Sequence, residues 1–518
     1  MTAATLHDLF AANLPARADT VFLIDPEREA TYAEIDAYAA TVAAILKVHG
    51  VGPGDRILVQ VRKGIAEVAA ILGVTRVGAV LVDISTAWTA EQVRYVADDC
   101  GARLLILEPA LARAVIAGGI ESARVLPVSE VRFPPGEQPV PQIAAVPRLS
   151  EDLAAIIYTS GSTGQPKGVM LSHGNILQGA RSVAEYLHLT GADRLLSVLP
   201  YSFDYGFNQL TTMMLTGGSV VHQSVPMASE IVASLVKHAV TGLAAVPPLW
   251  IQIVRYLASA RTPLPALRFI TNSGGRIPAS TLEIMPSILP NTQIFLMYGL
   301  TEAFRSTFLH PDRFAAKMGS IGRAIPGAEV FVIRHGEGLA TPGQQGELVH
   351  RGPLVSQGYW NRPEATAEKI RPCPELFDRF GDEPVVYSGD IVRIDEDGDL
   401  WFVGRNDALI KTSGYRVSPD EVEDLVYRSG IAADVVAFGV QDDLLGQAIH
   451  IAVTLLVGGT REALLAHCRA AMPAYMVPHR IHLWPEPMPR TASGKLSRPE
   501  VIRECRAASA GPSLHDSP

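Results

Sequence analysis

The chain has 518 residues, which is too long for one hydrophobic core, because domains usually hold about 100–200 residues. Several packing units are therefore expected. Apolar residues make up 48% and charged residues 19% of the sequence, as in a soluble globular protein. The net charge is −9 and no long run carries a single sign, which argues against a nucleic-acid-binding protein.

Cysteine usage and apolar segments indicate the compartment. The four cysteines are scattered and form no CxxC pair, so free thiols in a reducing cytosol are expected rather than a zinc site or a disulfide framework. The N-terminus lacks a basic segment followed by an apolar stretch, and no signal peptide is predicted. The apolar runs Val68–Val74 and Leu243–Val254 are shorter than the ~20 residues of a membrane helix. We expect a cytoplasmic protein without a membrane span.

Helix-like and strand-like patterns alternate in the first part of the chain. Tyr32–Val48 and Ile65–Val74 are predicted to be helices, and Arg56–Val61, Ala79–Ile84 and Leu104–Leu107 are predicted to be strands. This alternation is typical of a parallel sheet with helices on its faces.

A Pro-rich connector is predicted at Pro134–Pro147, after which the alternation resumes from Ala154 to about Gly319. Residues 320–405 are rich in Gly, Thr and Val and are predicted to be β-rich. The last hundred or so residues return to mixed α/β patterns and finish in a weakly patterned tail.

The strongest motif is the Gly-, Ser- and Thr-rich loop Tyr158–Gly168, which follows a predicted strand. Its glycines let the backbone approach a ligand, its hydroxyl groups are donors, and Lys167 adds a positive charge, so the loop suits a polyphosphate. It is not a Walker A loop, because Gly-Lys-Ser/Thr occurs nowhere in the chain. A solvated linker is the alternative, and it is disfavoured because a linker needs no fixed Pro-Lys-Gly ending.

Four further motifs follow in order: Asn272–Gly275 (NSGG), Tyr298–Glu302 (YGLTE), Tyr387–Asp390 (YSGD) with Gly404-Arg405, and Pro489–Lys495 (PRTASGK). Individually, each has an ordinary interpretation as a turn, a helix end or a solvated loop. As an ordered set covering nearly the whole chain, they resemble the adenylate-forming superfamily. That group contains acyl-CoA synthetases, the adenylation domains of peptide synthetases, and luciferases.

The resemblance implies an α/β fold with two domains and a tail. Residues 1–405 would form a large N-terminal domain of stacked mixed α/β sheets plus a β-rich subdomain. Residues 406–508 would form a small, mobile α+β C-terminal domain, and residues 509–518 a disordered tail. Asp407 would be the hinge, and Gly414 would lie against the pantetheine arm of the acyl acceptor.

The resemblance also implies a site for ATP and Mg²⁺. Tyr298 would stack on adenine, Thr301 would touch phosphate and Glu302 would hold Mg²⁺. Asp390, assisted by Arg405, would accept hydrogen bonds from the ribose hydroxyls. Lys495 would be the catalytic lysine of adenylation, acting with Thr301 and Glu302. The other implied ATP contacts are Thr159, Ser160, Gly161, Ser162, Thr163, Gly164, Lys167 and Gly275.

The implied substrate pocket contains Tyr201, Phe203, Asp204, Ser273 and Gly274. Asp204 has two interpretations, and the sequence favours neither. It binds the ammonium group of an amino-acid substrate, or it caps a helix that begins near Gly206. Because an unpaired buried carboxylate is costly, a cationic partner is expected if it is buried.

The predicted function is an ATP-dependent carboxylic acid ligase. It would form an acyl-adenylate from a small carboxylic acid and pass the acyl group to a pantetheine thiol, either CoA or a free-standing carrier protein. In detail, Phe203–Gly206 and Tyr298–Arg305 resemble stand-alone ligases of bacterial natural-product biosynthetic clusters. The close alternative is an amino-acid-activating enzyme that loads a free carrier protein. No fused carrier domain is expected after Lys495, so the acceptor would come from outside.

Other classes of protein are less consistent with the sequence. A non-catalytic relative would be expected to lack Lys495, Glu302 or Asp390, and all three are present. A serine hydrolase is disfavoured because no Gly-x-Ser-x-Gly elbow occurs, and no His-Glu-x-x-His zinc motif occurs either. Luciferase-type oxidation uses the same scaffold with a special substrate and is disfavoured as well.

Overall fold

The computed structural model describes residues 3–131, 143–159, 166–405, 408, 410–412, 415–442, 445–484 and 487–510. In chain order the helices are α1 (Leu6–Ala11), α2 (Leu14–Arg17), α3 (Tyr32–Val48), α4 (Ile65–Arg76), α5 (Ala90–Asp99), α6 (Pro109–Ala117), α7 (His173–Tyr186), α8 (Asp204–Thr216), α9 (Ala228–Lys237), α10 (Pro247–Ala260), α11 (Ala279–Ile288), α12 (Pro363–Lys369), α13 (Phe377–Phe380), α14 (Pro419–Tyr427), α15 (Arg461–Ala471) and α16 (Arg498–Ala510).

The strands, also in chain order, are β1 (Val21–Ile24), β2 (Glu29–Thr31), β3 (Arg56–Gln60), β4 (Val80–Asp83), β5 (Leu104–Leu107), β6 (Val125–Pro127), β7 (Leu153–Thr159), β8 (Lys167–Ser172), β9 (Arg194–Ser197), β10 (Ser219–His222), β11 (Gly242–Ala245), β12 (Phe269–Asn272), β13 (Gln293–Tyr298), β14 (Thr307–Leu309), β15 (Arg323–Ala324), β16 (Glu329–Arg334), β17 (Gly338–Leu339), β18 (Gln345–Arg351), β19 (Ile370–Pro372), β20 (Pro384–Ile394), β21 (Leu400–Arg405), β22 (Ile410–Thr412), β23 (Tyr415–Val417), β24 (Ala432–Asp442), β25 (Gly446–Leu455) and β26 (Arg480–Leu483).

The first sheet has the strand order β6-β5-β3-β4-β7-β8 and is parallel except for the antiparallel pair β7–β8. The alternation in the sequence predicted this arrangement, and the predicted helix Tyr32–Val48 and strand Leu104–Leu107 have the observed bounds. Helix α3 begins with a capping box in which the Thr31 side chain accepts a hydrogen bond from Glu34 N–H. Helices α3 and α4 pack closely, because Gly73 leaves no side chain where Val42 lies.

The second sheet has the order β15-β14-β13-β12-β11-β9-β10-β1-β2, and its central strands are parallel. Ala245, Asn272 and Leu296 lie side by side in this register, so the loops that follow β12 and β13 leave the same edge of the sheet. Loops at the carboxyl ends of parallel strands are where α/β proteins bind ligands. A continuous apolar core fills the space between the first two sheets.

Two smaller sheets complete the fold. The third is antiparallel, with β17-β16-β18-β20-β19 in order and β21 paired with β20, which agrees with the predicted β-rich segment 320–405. The fourth, β23-β22-β25-β24 with β26 beside β25, lies wholly after residue 405 and has its own apolar core. The last helix ends at Ala510, two residues inside the predicted tail, and residues 511–518 lie outside the described part of the chain.

The sequence predicted free cysteine thiols and no membrane-spanning helix. All four cysteines belong to the described residues, and each is a buried free thiol. Among the described helices, none has both the length and the apolar composition needed to cross a membrane.

Candidate active site

A cavity of about 460 Å³ opens where the loops after β12 and β13 face residues of the C-terminal region. This volume lies within the usual range of ligand pockets. The large domain contributes most of the wall, and the C-terminal region contributes Asp420, Lys495 and Arg498. Five cationic and four anionic side chains line the cavity: Arg276, Arg305, Arg405, Lys495 and Arg498, with Asp204, Glu302, Asp390 and Asp420. A site with this charge pattern can bind a polyanion and a cation together.

Lys495 reaches into the cavity from a tight turn. Thr491 N–H donates to Lys495 O at 2.7 Å, and Lys495 N–H donates to Thr491 Oγ1 at 3.2 Å. The Lys495 ammonium lies 4.9 Å from the centre of the Phe203 ring. Burial lowers the pKa of Lys495, and the nearby Asp204 carboxylate partly opposes that shift.

Gly274 makes room for this lysine. Its φ is +80°, and a Cβ at this position would lie only 2.5 Å from Lys495 Cε. Any side chain at residue 274 would therefore displace the lysine as well as strain the backbone.

Contacts between the C-terminal region and the large domain hold Lys495 at this place. Asp424 accepts a hydrogen bond of 2.9 Å from Ala279 N–H at the start of α11, and it lies 3.6 Å from the Arg276 guanidinium. Arg255 donates to Ala432 O at 3.0 Å. All three of these contacts are polar.

Glu302 lies in the loop after β13, opposite Lys167 and Tyr359. Its carboxylate accepts a short hydrogen bond from the Tyr359 hydroxyl, and the Lys167 ammonium lies 5.7 Å from the centre of the Tyr359 ring. Lys369 contributes further positive charge near Glu302, and its ammonium donates to Ser388 O at 2.7 Å. Tyr359 thus lies between the end of the Gly/Ser loop and the carboxylate predicted to hold Mg²⁺.

Tyr298, Asp390 and Arg405 meet at the junction of the second and third sheets. The Tyr298 hydroxyl donates a short hydrogen bond to Asp390, and Arg405 Nη1 lies 3.5 Å from Asp390 Oδ1. The Tyr298 ring lies nearly parallel to that of His350, with centroids 6.1 Å apart and planes inclined by 16°. The resemblance assigned Tyr298 to adenine and Asp390 to ribose, and in the structure the two side chains are in contact.

Asp204 forms a buried ion pair that neither sequence interpretation included. Arg305 Nη1 donates to Asp204 Oδ2 at 3.2 Å, Arg305 Nη2 donates to Asp204 O at 3.1 Å, and both side chains are at most 5% exposed. Helix α8 begins at Asp204 itself, and its N-cap is Phe203 without a side-chain hydrogen bond, so Asp204 does not act as a cap. Burial raises the pKa of Asp204, and Arg305 and then Lys495 oppose that shift.

The backbone at Phe304 directs Arg305 toward Asp204. Phe304 has φ 52° and ψ −38°, a conformation that is costly for a bulky residue. Its ring is fully buried in the space left by Gly179, whose added Cβ would lie 2.3 Å from the Phe304 ring. Strained backbone of this kind is common at functional sites, and here it places a cation beneath the cavity.

Six more of the predicted residues line the cavity: Thr159, Phe203, Ser273, Gly274, Gly275 and Thr301. Tyr201 is directed into the core instead, where its hydroxyl lies 2.7 Å from His222 Nε2. Thr159 and Lys167 face each other across the β7–β8 pair. The predicted residues Ser160, Gly161, Ser162, Thr163, Gly164, Asp407 and Gly414 lie outside the described part of the chain.

Arg305 and Tyr359 are site residues that sequence reasoning did not assign. A signal for Arg305 existed, because a carboxylate expected to be buried needs a cationic partner and Arg305 ends one of the quoted motifs. Tyr359 has no such signal, since it lies 57 residues after Glu302 and in none of the motifs.

The residues present fit ATP with Mg²⁺. Glu302 and Asp390 provide carboxylate oxygens, which can coordinate Mg²⁺ or accept hydrogen bonds from ribose hydroxyls. Lys495 and Arg405 provide hydrogen-bond donors for phosphate oxygens. Glu302 would hold the metal, because it is the carboxylate next to Lys167 at the end of the Gly/Ser loop.

Comparisons with known proteins identify the family of the chain. Residues 10–360 match the family described as AMP-binding enzyme, and residues 421–495 match the AMP-binding enzyme C-terminal domain. Among curated proteins, 2-succinylbenzoate–CoA ligase of Geobacillus kaustophilus is 31% identical over 94% of this chain and 95% of that protein. Tyrocidine synthase 3 of Brevibacillus parabrevis is 28% identical over 95% of this chain, which spans only 8% of that much longer protein.

A solved structure shows the same architecture. o-Succinylbenzoate CoA synthetase from Bacillus subtilis, in complex with an acyl-adenylate intermediate, superposes with a TM-score of 0.84 at 25% identity and covers 96% of this chain and 98% of that one. These findings confirm the predicted adenylate-forming superfamily and the predicted α/β fold with a large N-terminal and a small C-terminal domain. The predicted enzyme class, an AMP-forming ligase, is confirmed as well.

Proposed function

The chain belongs to the family of AMP-binding enzymes, and from this premise we propose that it activates a small carboxylic acid with ATP and transfers the acyl group to a pantetheine thiol. The observation that carries the proposal is the position of Lys495. A lysine from the C-terminal region lines a cavity of the large domain whose wall also includes Thr301, Glu302 and Asp390. A surface lysine on a glycine-containing turn usually extends into solvent, whereas Lys495 is half-buried and lines this cavity.

In the first step the carboxylate of the acid attacks the α-phosphorus of ATP, and pyrophosphate leaves. Such a transfer needs positioning and charge stabilisation more than covalent help from the protein. Asp390 and Tyr298 would orient the nucleoside, and the Lys495 ammonium would stabilise the charge that develops between carboxylate and phosphate. Mg²⁺ held by Glu302 would neutralise phosphate oxygens.

The second step requires Lys495 to leave, because the thiol must approach the acyl carbonyl from the side that the C-terminal region covers. The contacts of Asp424 with Ala279 and Arg276 would break and allow that movement about the predicted hinge. The thiol then attacks the carbonyl carbon, and AMP leaves with the electrons of the acyl–phosphate bond. CoA is the proposed acceptor, since 2-succinylbenzoate–CoA ligase, a curated relative that this chain matches over 95% of its length, is a CoA ligase.

The substrate is proposed to be an acid without an ammonium group near its carboxyl. Asp204 is the carboxylate that could bind such a group, and Arg305 already neutralises it at 3.2 Å. Lys495 adds a second cation nearby, so a substrate ammonium would be the third around one buried carboxylate. Desolvating that ammonium without a free anionic partner would be costly.

The test is pyrophosphate release with ATP and Mg²⁺ across pairs of acids that differ only by an amino group next to the carboxyl. Each accepted acid is then offered CoA or a phosphopantetheinylated carrier protein, and thioester formation is measured. Turnover of plain acids with CoA supports the proposal. Turnover of amino acids only, with transfer to the carrier protein only, would replace it with the amino-acid-activating alternative.

A further inference from the structure

A second, enclosed cavity lies directly behind the active-site cavity. The volume accessible to the centre of a water molecule is about 20 Å³, and Tyr205 and Met297 form part of the wall of both cavities. Tyr205, Asn208, Gln209 and Thr212 all face it. Their spacing places them on one face of α8, with Asn208 and Gln209 about one helical turn, roughly 5.4 Å, beyond Tyr205.

Amide groups without partners line this second cavity. Within the described residues, Asn208 Nδ2 and both Gln209 Nε2 and Gln209 Oε1 have no hydrogen-bond partner, although the two residues are only 3% and 6% exposed. Buried amides in native proteins are nearly always paired, and leaving them unpaired is costly. The other wall residues are apolar or already paired, and among the described residues no charged side chain lines this cavity.

Tyr205 separates the two cavities. Its hydroxyl lies 2.5 Å from Thr271 Oγ1, and the Arg305 guanidinium carbon lies 5.0 Å from the centre of its ring. A turn of the Tyr205 ring away from Thr271 would remove the wall that this side chain forms between the two cavities. A substrate whose carboxyl lies near Lys495 would then extend past Tyr205 along α8.

We propose that the enclosed cavity binds a hydroxyl group at the end of the acid remote from its carboxyl, read by Asn208 and Gln209. This assignment rests on the proposed function. The volume suits a single oxygen, since one water-sized group needs about 10–15 Å³ on this measure. A hydroxyl both donates and accepts, which matches the donor and acceptor atoms of Gln209 and the donor of Asn208. An ammonium or carboxylate would find no opposite charge on the described wall.

The experiment uses acids of one skeleton that end in a hydroxyl, a methyl or an ammonium group, in a series of increasing length. The readout is kcat/KM for pyrophosphate release. At the length that reaches the cavity, the wild-type enzyme is expected to prefer the hydroxyl acid over the methyl acid by about 10- to 100-fold, because the methyl acid leaves buried amides unpaired. The ammonium acid is expected to be the poorest of the three.

Two variants test which residues read the hydroxyl. Gln209→Leu and Asn208→Leu should each reduce the hydroxyl preference severalfold and retain or improve the rate with the methyl acid. Thr211→Val is the matched control: Thr211 is on the same helix and buried, its hydroxyl donates to Asn208 O, and it does not line the cavity. Its hydroxyl preference should equal that of the wild type.

Equal wild-type rates with hydroxyl and methyl acids at every length would overturn the inference without using any variant. A hydroxyl preference that survives both leucine substitutions, in variants whose thermal unfolding matches the wild type, would also overturn it, because the amides would then not be the readers. Failure of the proposed function gives a different result, because no acid of any kind would then release pyrophosphate. The inference alone fails if acids react but the hydroxyl acid is not preferred over the methyl acid.

Discussion

Replacing Arg305 with methionine should leave the Asp204 carboxylate buried without its partner. The two side chains are joined through Arg305 Nη1 and Asp204 Oδ2 at 3.2 Å, and Arg305 Nη2 also donates to the Asp204 carbonyl oxygen. Both residues are at most 5% exposed, so water cannot replace the lost hydrogen bonds. Breaking a buried ion pair from one side costs about 3–5 kcal/mol, and we expect the Arg305→Met variant to lose that much stability.

The same substitution should change substrate choice. An uncompensated buried carboxylate beside Lys495 attracts any available cation, and an acid that carries an amino group would supply one. We therefore expect the ratio of kcat/KM for an amino acid to that for its plain counterpart to rise in Arg305→Met. The assay combines urea unfolding, followed by tryptophan fluorescence, with pyrophosphate release from the two acids.

The double variant Asp204→Asn with Arg305→Met provides the control, because it removes both charges. It should recover about 2–3 kcal/mol of the lost stability and show no gain in amino-acid turnover. The contrary outcomes are an Arg305→Met variant that is as stable as the wild type, or single and double variants that lose the same stability. Either result would mean that Arg305 does not compensate the Asp204 charge.

Three further predictions concern the nucleotide site and its surroundings. Burial lowers the pKa of Lys495 from its ordinary 10.5, and Asp204 opposes that shift. The adenylation rate should therefore begin to fall below pH 10.5 as the pH is raised. In a rate–pH profile, Asp204→Asn should move this alkaline decrease to lower pH. Asp390→Asn should raise the KM for ATP about 10- to 100-fold in steady-state kinetics, since hydrogen bonds to charged groups contribute about 1.5–3 kcal/mol. Burial lowers the pKa of His350 to about 3, so its neutral form stabilises the fold above pH 6.5 and that contribution is lost as the pH falls toward 3. His350→Phe should therefore remove about 3 kcal/mol of the pH dependence of unfolding between pH 6.5 and 4, as measured by urea unfolding.

Each of these predictions has a contrary outcome. An alkaline limb that stays in place in Asp204→Asn would show that the carboxylate does not act on Lys495. An unchanged KM for ATP in Asp390→Asn, or an equal increase in the exposed control Asp382→Asn, would remove Asp390 from the ribose site. If His350→Phe and the wild type lose stability in parallel on acidification, other groups cause the acid sensitivity.

Local patterns were sufficient to predict much of the fold. The helix Tyr32–Val48 has a capping box and an alanine-rich apolar face, and the strand Leu104–Leu107 is a short apolar run between turns, so both were predictable from adjacent residues. The pairing order of the sheets was not predictable in this way, because strands such as β9 and β11 are neighbours only through tertiary packing.

Site residues that belong to short sequence motifs could be predicted from the sequence. Tyr298, Glu302, Asp390 and Lys495 were recognised from short segments and line the same cavity. The partner of Asp204 was not, because the need for a cation could be stated from the sequence but its source could not. Arg305 is 101 residues away, and its approach depends on the positive φ of Phe304.

In the proposed reaction, Lys495 enters the cavity to form the adenylate and leaves before the thiol reacts. The direct test compares the two half-reactions in Lys495→Met, with the exposed Lys237→Met as control. Pyrophosphate release is expected to fall about 100- to 1,000-fold in Lys495→Met, as for loss of a group that stabilises transition-state charge. Thioester formation from a supplied acyl-adenylate and CoA should stay near the wild-type rate. Equal losses in both half-reactions, or no loss in the first, would contradict the assignment.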